Sequence, residues 1–140
     1  MKKALIFTLV MCLMPGGIAL AQSKIPVQMA EKFFGMVEKG KIGEAYDQLF
    51  QGSMIPVTKP QAVETMKKQT ESGLSIFGKI FGYEKIREER FGSSILRLVY
   101  VVKSEKFPTV WEFYFYKAKN DWVLGNLKFN DYFQGLEALK

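Results

Sequence analysis

Histidine is absent from this sequence of 140 residues, and its absence excludes several kinds of active site. A Ser-His-Asp triad, a Cys-His pair and any metal site with imidazole ligands all need at least one histidine. The sequence also lacks a glycine-rich phosphate-binding motif and an acidic calcium-binding loop. We therefore expect no metal and no other cofactor, and any activity should be insensitive to chelators.

Cysteine is nearly absent as well, and the single one lies in a segment with the features of a secretory signal peptide. Lys2 and Lys3 precede an uncharged, largely apolar run over residues 4–14 that contains Cys12, and a Pro-Gly-Gly sequence ends that run. The small-x-small pattern that signal peptidase accepts follows at residues 19–21. Met11, which is not small, precedes Cys12, so we do not expect lipid attachment there.

Cleavage after Ala21 would divide the chain into a signal peptide, residues 1–21, and a mature domain, residues 22–140. About 119 residues fit one domain. The mature chain would have no cysteine, which excludes disulfides and thiolate chemistry. The short signal with its simple Ala-x-Ala exit favours a periplasmic location over full secretion.

A dense basic stripe and a second long apolar run are also missing. The formal charge of +6 includes Lys2 and Lys3, so the mature chain carries +4, spread along the sequence. Nucleic-acid binders usually have a denser basic stripe, so we expect no nucleic-acid partner. No later run is long enough to span a bilayer, so we expect no stable membrane anchor after cleavage.

The order of periodic segments predicts an α+β fold. Helical spacing indicates helices over residues 26–40, 42–49 and 58–77, with a capping box at Thr58 and Gln61 and a loop over residues 52–57. Strand patterns follow over residues 83–91, 94–104, 109–117 and 122–130, with a bulge predicted at Gly125. The short turns between strands require antiparallel neighbours. We therefore expect N-terminal helices packed on one face of a curved four-stranded antiparallel sheet.

Both faces of the predicted sheet are apolar. With a four-residue connection at 105–108, the helix-covered face would hold Ile95, Val99, Val101, Trp111, Phe113, Phe115 and Leu124. The opposite face would hold Leu96, Leu98, Tyr100, Val110, Tyr114, Tyr116, Leu127 and Phe129. Since soluble monomers rarely expose such a patch, the second face should bind a partner or curl around its own cavity.

Two segments resemble the nuclear-transport-factor-2-like superfamily, within the broader cystatin-like fold. AEKFFGMVEKGKIGEAYDQL is similar to the opening helix pair of small exported members, and WEFYFYKAKNDWVLGNLKF is similar to their last hairpin. The resemblance implies a cone that can hold a pocket, and often a dimer through the sheet. It transfers no catalytic residue. The larger enzymatic members usually interleave helices and strands, whereas all helices precede all strands here.

Carboxylates with tyrosines are the remaining route to catalysis, as in isomerases or hydratases that use an acidic base. Glu112 is expected to share a face with Tyr100, Tyr114 and, more loosely, Asp131. Glu112 and Asp131 are therefore the weak catalytic candidates. The competing interpretation pairs Glu112 with Lys85 or Arg87 at the rim of the sheet.

The leading functional hypothesis is a non-catalytic exported domain that binds a partner protein or a small apolar ligand. The alternatives are an enzyme that uses Glu112 or Asp131, and a structural homodimer or accessory subunit. The predicted interface carries Leu98, Tyr100, Tyr114, Tyr116 and Leu127, since tyrosines suit surfaces that are buried on binding.

Overall fold

Four helices precede a four-stranded sheet in the computed structural model, which describes residues 17–139 and the side chains of residues 25–136. The helices are α1 (Gly17–Glu38), α2 (Ile42–Leu49), α3 (Ile55–Thr58) and α4 (Pro60–Phe77). The strands are β1 (Ile80–Phe91), β2 (Ile95–Ser104), β3 (Thr109–Lys117) and β4 (Trp122–Asn130), followed by a 3-10 helix (Phe133–Leu139). The α+β fold predicted from the sequence is confirmed.

Helix α1 begins earlier than its apolar pattern predicts. Its backbone continues across the expected cleavage site after Ala21 and places Pro26 inside the helix rather than in its first turn. A proline inside a helix leaves one backbone carbonyl without its usual N–H partner. Residues 1–16 of the expected signal peptide, which spans residues 1–21, lie outside the described residues.

Helix α4 begins with Pro60 in its first turn, as expected, but the predicted capping box does not form. The residue at the N-cap position is Lys59, and it makes no capping hydrogen bond through its side chain. The Thr58 hydroxyl instead donates to the Met54 carbonyl at 2.9 Å, because residues 55–58 form the short helix α3 rather than the end of a loop. Thr58 therefore closes α3 instead of starting α4.

The sheet has the strand order β1-β2-β3-β4 with all neighbours antiparallel. The predicted assignment of β2 residues to the two faces of the sheet is wrong. Leu98 pairs with Phe113, and Tyr100 pairs with Trp111. Since directly paired residues share a face, Leu98 and Tyr100 lie on the helix-covered face, and Ile95, Val99 and Val101 lie on the face away from the helices.

Strand β2 continues past its pairing with β3. The last pair between these two strands is Val102 with Thr109, so the connection is longer than four residues. Ser104 still pairs with Ile80 of β1. Beyond it, the Glu105 N–H donates to the Lys79 carbonyl at 3.0 Å.

Gly125 forms the predicted β-bulge. Tyr114 pairs with Asn126 and Phe115 pairs with Leu124, which leaves Gly125 as the extra residue in β4. The bulge puts Leu124 and Leu127 on the same face, although the prediction separated them. Both side chains belong to the core.

The core lies between the helices and one sheet face and is rich in aromatic rings. Phe33 and Phe34 of α1 contact Trp111 and Phe113 of β3, with ring centroids 5.5–5.9 Å apart. Trp111 and Phe113 are both buried. The expectation that these two residues lie on the helix-covered face of a central strand is confirmed.

The five residues of the predicted interface do not form one surface. Leu98, Tyr100 and Leu127 are at most 5% exposed and belong to the helix-covered core. Tyr114 and Tyr116 lie on the opposite face, and Tyr116 is about half exposed. The register of β2 and the bulge in β4 account for the error.

Candidate interaction surface

The sheet surface that points away from the helices, called the outer face here, carries an exposed apolar row. Phe91 pairs with Ile95, Ile95 with Tyr116, and Tyr116 with Val123, so the row crosses all four strands. Phe91, Ile95 and Tyr116 are 39–52% exposed. Directly opposed side chains in a sheet are close enough to contact one another, so the row is continuous.

A cluster of ion pairs occupies the middle of the outer face, centred on Arg97. Its Nη1 donates to Glu89 Oε2 at 2.6 Å, while Nε and Nη2 both donate to Glu112 Oε2 at 2.9 and 2.8 Å. The side chains of Arg97 and Glu112 are only 12% and 11% exposed. Lys128 completes the cluster at 3.4 Å from Glu112 Oε1.

Glu89 shows the electrostatic effect of this cluster. The hydrogen bond from Arg97 is the main cause that holds the pKa of the Glu89 carboxyl below its ordinary value. Arg87 adds a second ion pair to Glu89 at 3.1 Å. The two acids of the cluster are thus each held by two cations.

Glu112 therefore occupies a different environment from the one expected for a general base. Tyr114 donates to Glu112 Oε2 at 3.3 Å, so one predicted tyrosine neighbour is present. Tyr100 lies on the other face of the sheet, and Asp131 is exposed beyond the end of β4. The cations that hold Glu112 are Arg97 and Lys128, not Lys85 or Arg87, and Lys85 pairs with Glu88 instead.

Tyr114 extends the cluster toward the apolar row. The Arg97 guanidinium and the Lys128 ammonium lie 5.8 and 6.0 Å from the centroid of its ring. Cations at this distance over an aromatic face are attracted to it. The outer face thus combines an exposed apolar row with a central cluster of charged side chains that are held by ion pairs.

A cleft of about 280 Å³ lies on the other side of the molecule, between α1 and α2. Met29, Met36 and Leu49 supply apolar walls, Lys32 is the one cation in its lining, and Trp122 lies at the start of β4. Trp122 is 6% exposed, and its indole N–H has no hydrogen-bond acceptor. An unpaired buried donor is unfavourable unless a ligand or water accepts from it.

The described part of the chain contains no group of three or more carboxylates, cysteines or histidines that could hold a metal ion. No helix within those residues is long and apolar enough to cross a membrane.

Sequence reasoning missed both the Arg97 cluster and the Trp122 cleft. Arg97 is the one charged residue between Ile95 and Val102, and a lone charge in an apolar strand suggests a buried ionic partner. That signal was available, although its partners depend on register. No feature of the sequence indicates that the indole N–H of Trp122 lacks a hydrogen-bond acceptor.

The chain matches no protein-family model, and no curated protein and no solved structure is detectably similar to it.

Proposed function

We propose that the mature chain is a non-catalytic exported domain that binds a protein partner through the outer face, and that this partner is a second copy of the chain. The observation that carries the proposal is the apolar row of Phe91, Ile95, Tyr116 and Val123 across all four strands. Contiguous exposed apolar surface of this kind marks interaction sites in soluble proteins.

A second copy is the simplest partner because one patch can meet itself about a two-fold axis, the commonest symmetry of soluble oligomers. The aromatic residues of the row suit such a contact, since tyrosine buries a large apolar ring and keeps its hydroxyl hydrogen-bonded. The resemblance to the nuclear-transport-factor-2-like superfamily, which we also propose as the origin of the domain, agrees with a sheet-mediated dimer.

The state of Glu112 supports the non-catalytic part of the proposal. A general base must accept a proton from a substrate within hydrogen-bond reach. Glu112 Oε2 already accepts from Arg97 and Tyr114, and Lys128 lies beside Oε1. A substrate would have to displace these partners, which makes an isomerase-like use of this acid the weaker interpretation.

Light scattering on the exported chain tests the proposal. Wild type should be a dimer at about 50 μM, a concentration well above a low-micromolar dissociation constant, and Ile95→Glu/Tyr116→Glu should be a folded monomer. Ile25→Glu/Val57→Glu is the matched control, because both side chains are also exposed but lie in α1 and α3. A monomeric wild type, or a double variant that stays dimeric, contradicts the proposal.

The cleft between α1 and α2 supports a second candidate function, the binding of a small, largely apolar ligand that carries a hydrogen-bond acceptor. The unpaired Trp122 N–H favours it. In a ¹H–¹⁵N spectrum, small apolar carboxylates should shift the indole signal of Trp122, which Trp122→Phe identifies. The Trp111 indole donates to Thr109 at 2.9 Å and serves as the internal control. If the two indole signals shift alike or neither shifts, the cleft has no such role.

A further inference from the structure

Exposed apolar side chains and lysines occur together at the end of the sheet where α4 meets β1. Ile76, Phe81 and Phe107 are 56–68% exposed. Lys79, Lys103 and Lys106 lie in the same two chain segments. We call these six residues the tip patch; it is separate from the outer-face row, which lies at the opposite end of the strands.

Backbone hydrogen bonds hold the two segments of the tip patch together. The Lys106 N–H donates to the Phe77 carbonyl at 2.9 Å, and the Glu105 N–H donates to the Lys79 carbonyl at 3.0 Å. The rings of Phe77 and Phe107 also pack edge to face with centroids 6.4 Å apart. These contacts therefore fix the backbone positions from which the exposed side chains extend.

Phe81 is exposed because of an irregularity in β1. The pairing with β2 shifts register between Ile80 and Gly82, which leaves Phe81 without a partner residue. Gly82 pairs with Lys103, and the Cε atom of Lys103 lies 3.8 Å from the position that a Cβ of residue 82 would occupy. The side chain of Lys103 therefore lies against the backbone of β1 at the residue that follows Phe81.

The charge of the tip patch favours an anionic partner. Its three lysines are accompanied by one acid in the two segments, Glu105. The Glu105 carboxylate accepts the backbone N–H of Lys79 at 3.2 Å. Glu105 thus helps to hold the two segments together. With three lysines and one acid, the two segments keep a net positive charge.

We propose that the tip patch docks the protein reversibly on an anionic lipid bilayer. The rings of Phe81 and Phe107 enter the headgroup region, and the lysines contact lipid phosphates, the combination that gives interfacial binding. A lipid surface fits these side chains better than an acidic protein would. The apolar side chains are more than half exposed, and a fluid interface accepts exposed rings without needing matching pockets.

Co-sedimentation with vesicles tests this proposal, using chains purified identically from the exported fraction. Wild type should bind equimolar phosphatidylglycerol–phosphatidylcholine vesicles, bind less in high salt, and not bind pure phosphatidylcholine. Phe81→Ser/Phe107→Ser should bind roughly tenfold more weakly. Lys103→Glu/Lys106→Glu should bind at least about 25-fold more weakly, since each lysine contributes about fivefold.

The matched control is Val57→Ser/Lys119→Glu, which removes one exposed apolar side chain and reverses one charge outside the tip patch. It should bind as wild type does. If Phe107→Ser disturbs folding, Phe81→Ser alone carries the test, because its ring is the more exposed.

Equal binding to neutral vesicles, unchanged binding of the tip variants, or no binding by wild type would overturn the proposal. Binding to polyglutamate without binding to vesicles would also overturn it in favour of an acidic protein partner. Because the oligomeric state is measured separately, failure here leaves the outer-face proposal untouched.

Discussion

Replacing Arg97 by methionine should destabilise the fold more than its position on the outer face suggests. Arg97 donates three hydrogen bonds to two carboxylates, at 2.6, 2.8 and 2.9 Å. Methionine keeps much of the apolar stem but removes every donor. Glu112, 11% exposed, would then keep Lys128 as its remaining cation.

The magnitude follows from how far the pair is buried. Removing one partner of a fully buried ion pair costs about 3–5 kcal/mol. Arg97 and Glu112 retain slight exposure, and Lys128 remains 3.4 Å from Glu112. We therefore expect a loss in the free energy of unfolding of about 2–3 kcal/mol, somewhat below the range for a fully buried pair.

Urea denaturation at pH 7 measures the loss, and a double variant separates its causes. Arg97→Met/Glu112→Leu should recover most of the stability, because no unpaired carboxylate then remains in the cluster. Arg87→Met is the matched control. Its guanidinium makes one bond to Glu89, at 3.1 Å, and its side chain is 30% exposed, so the loss should be smaller.

The double variant also tests whether Arg97 and Glu112 are energetically coupled. If Arg97→Met/Glu112→Leu loses as much stability as the two single variants added together, the two residues are not coupled. A loss below about 0.5 kcal/mol for Arg97→Met alone, the range of an ordinary surface change, would show that the carboxylates are adequately solvated without it.

Three further predictions concern the core, pH and export. Phe113→Ala should lower the free energy of unfolding by about 3–5 kcal/mol, since Phe113 is fully buried against Phe33 and Phe34; a loss below about 1 kcal/mol in denaturation would contradict the packing. The folded state depresses the pKa of Glu89, so the stability that Glu89 adds should be present at neutral pH and lost as pH falls from about 4.5 toward the lower folded value. Denaturation of wild type and Glu89→Gln should therefore converge in acid, and a constant difference would exclude the linkage. The intact mass of the exported protein should be that of a chain beginning at Gln22. A retained signal peptide or a lipid on Cys12 would show that the processing prediction is wrong.

The sequence could assign the residues of some strands, but not of others, to the two faces of the sheet. Alternation within β3 correctly separates Trp111, Phe113 and Phe115 from Tyr114 and Tyr116. Strand β2 is apolar at nearly every position, so its alternation does not distinguish its faces. Its orientation depends on which of its residues pair with those of β3, and the observed pairing places Leu98 opposite Phe113 and Tyr100 opposite Trp111.

The sequence by itself determined the order of elements, since helical and alternating periods follow directly from the spacing of apolar residues. It also determined that histidine chemistry is excluded, because a missing histidine cannot be supplied by folding. The tertiary structure alone decided which side chains meet. Arg97, Glu112 and Lys128 lie on three different strands, and only the register between those strands converts separate charges into a cluster and moves Leu98 and Tyr100 from a predicted interface into the core.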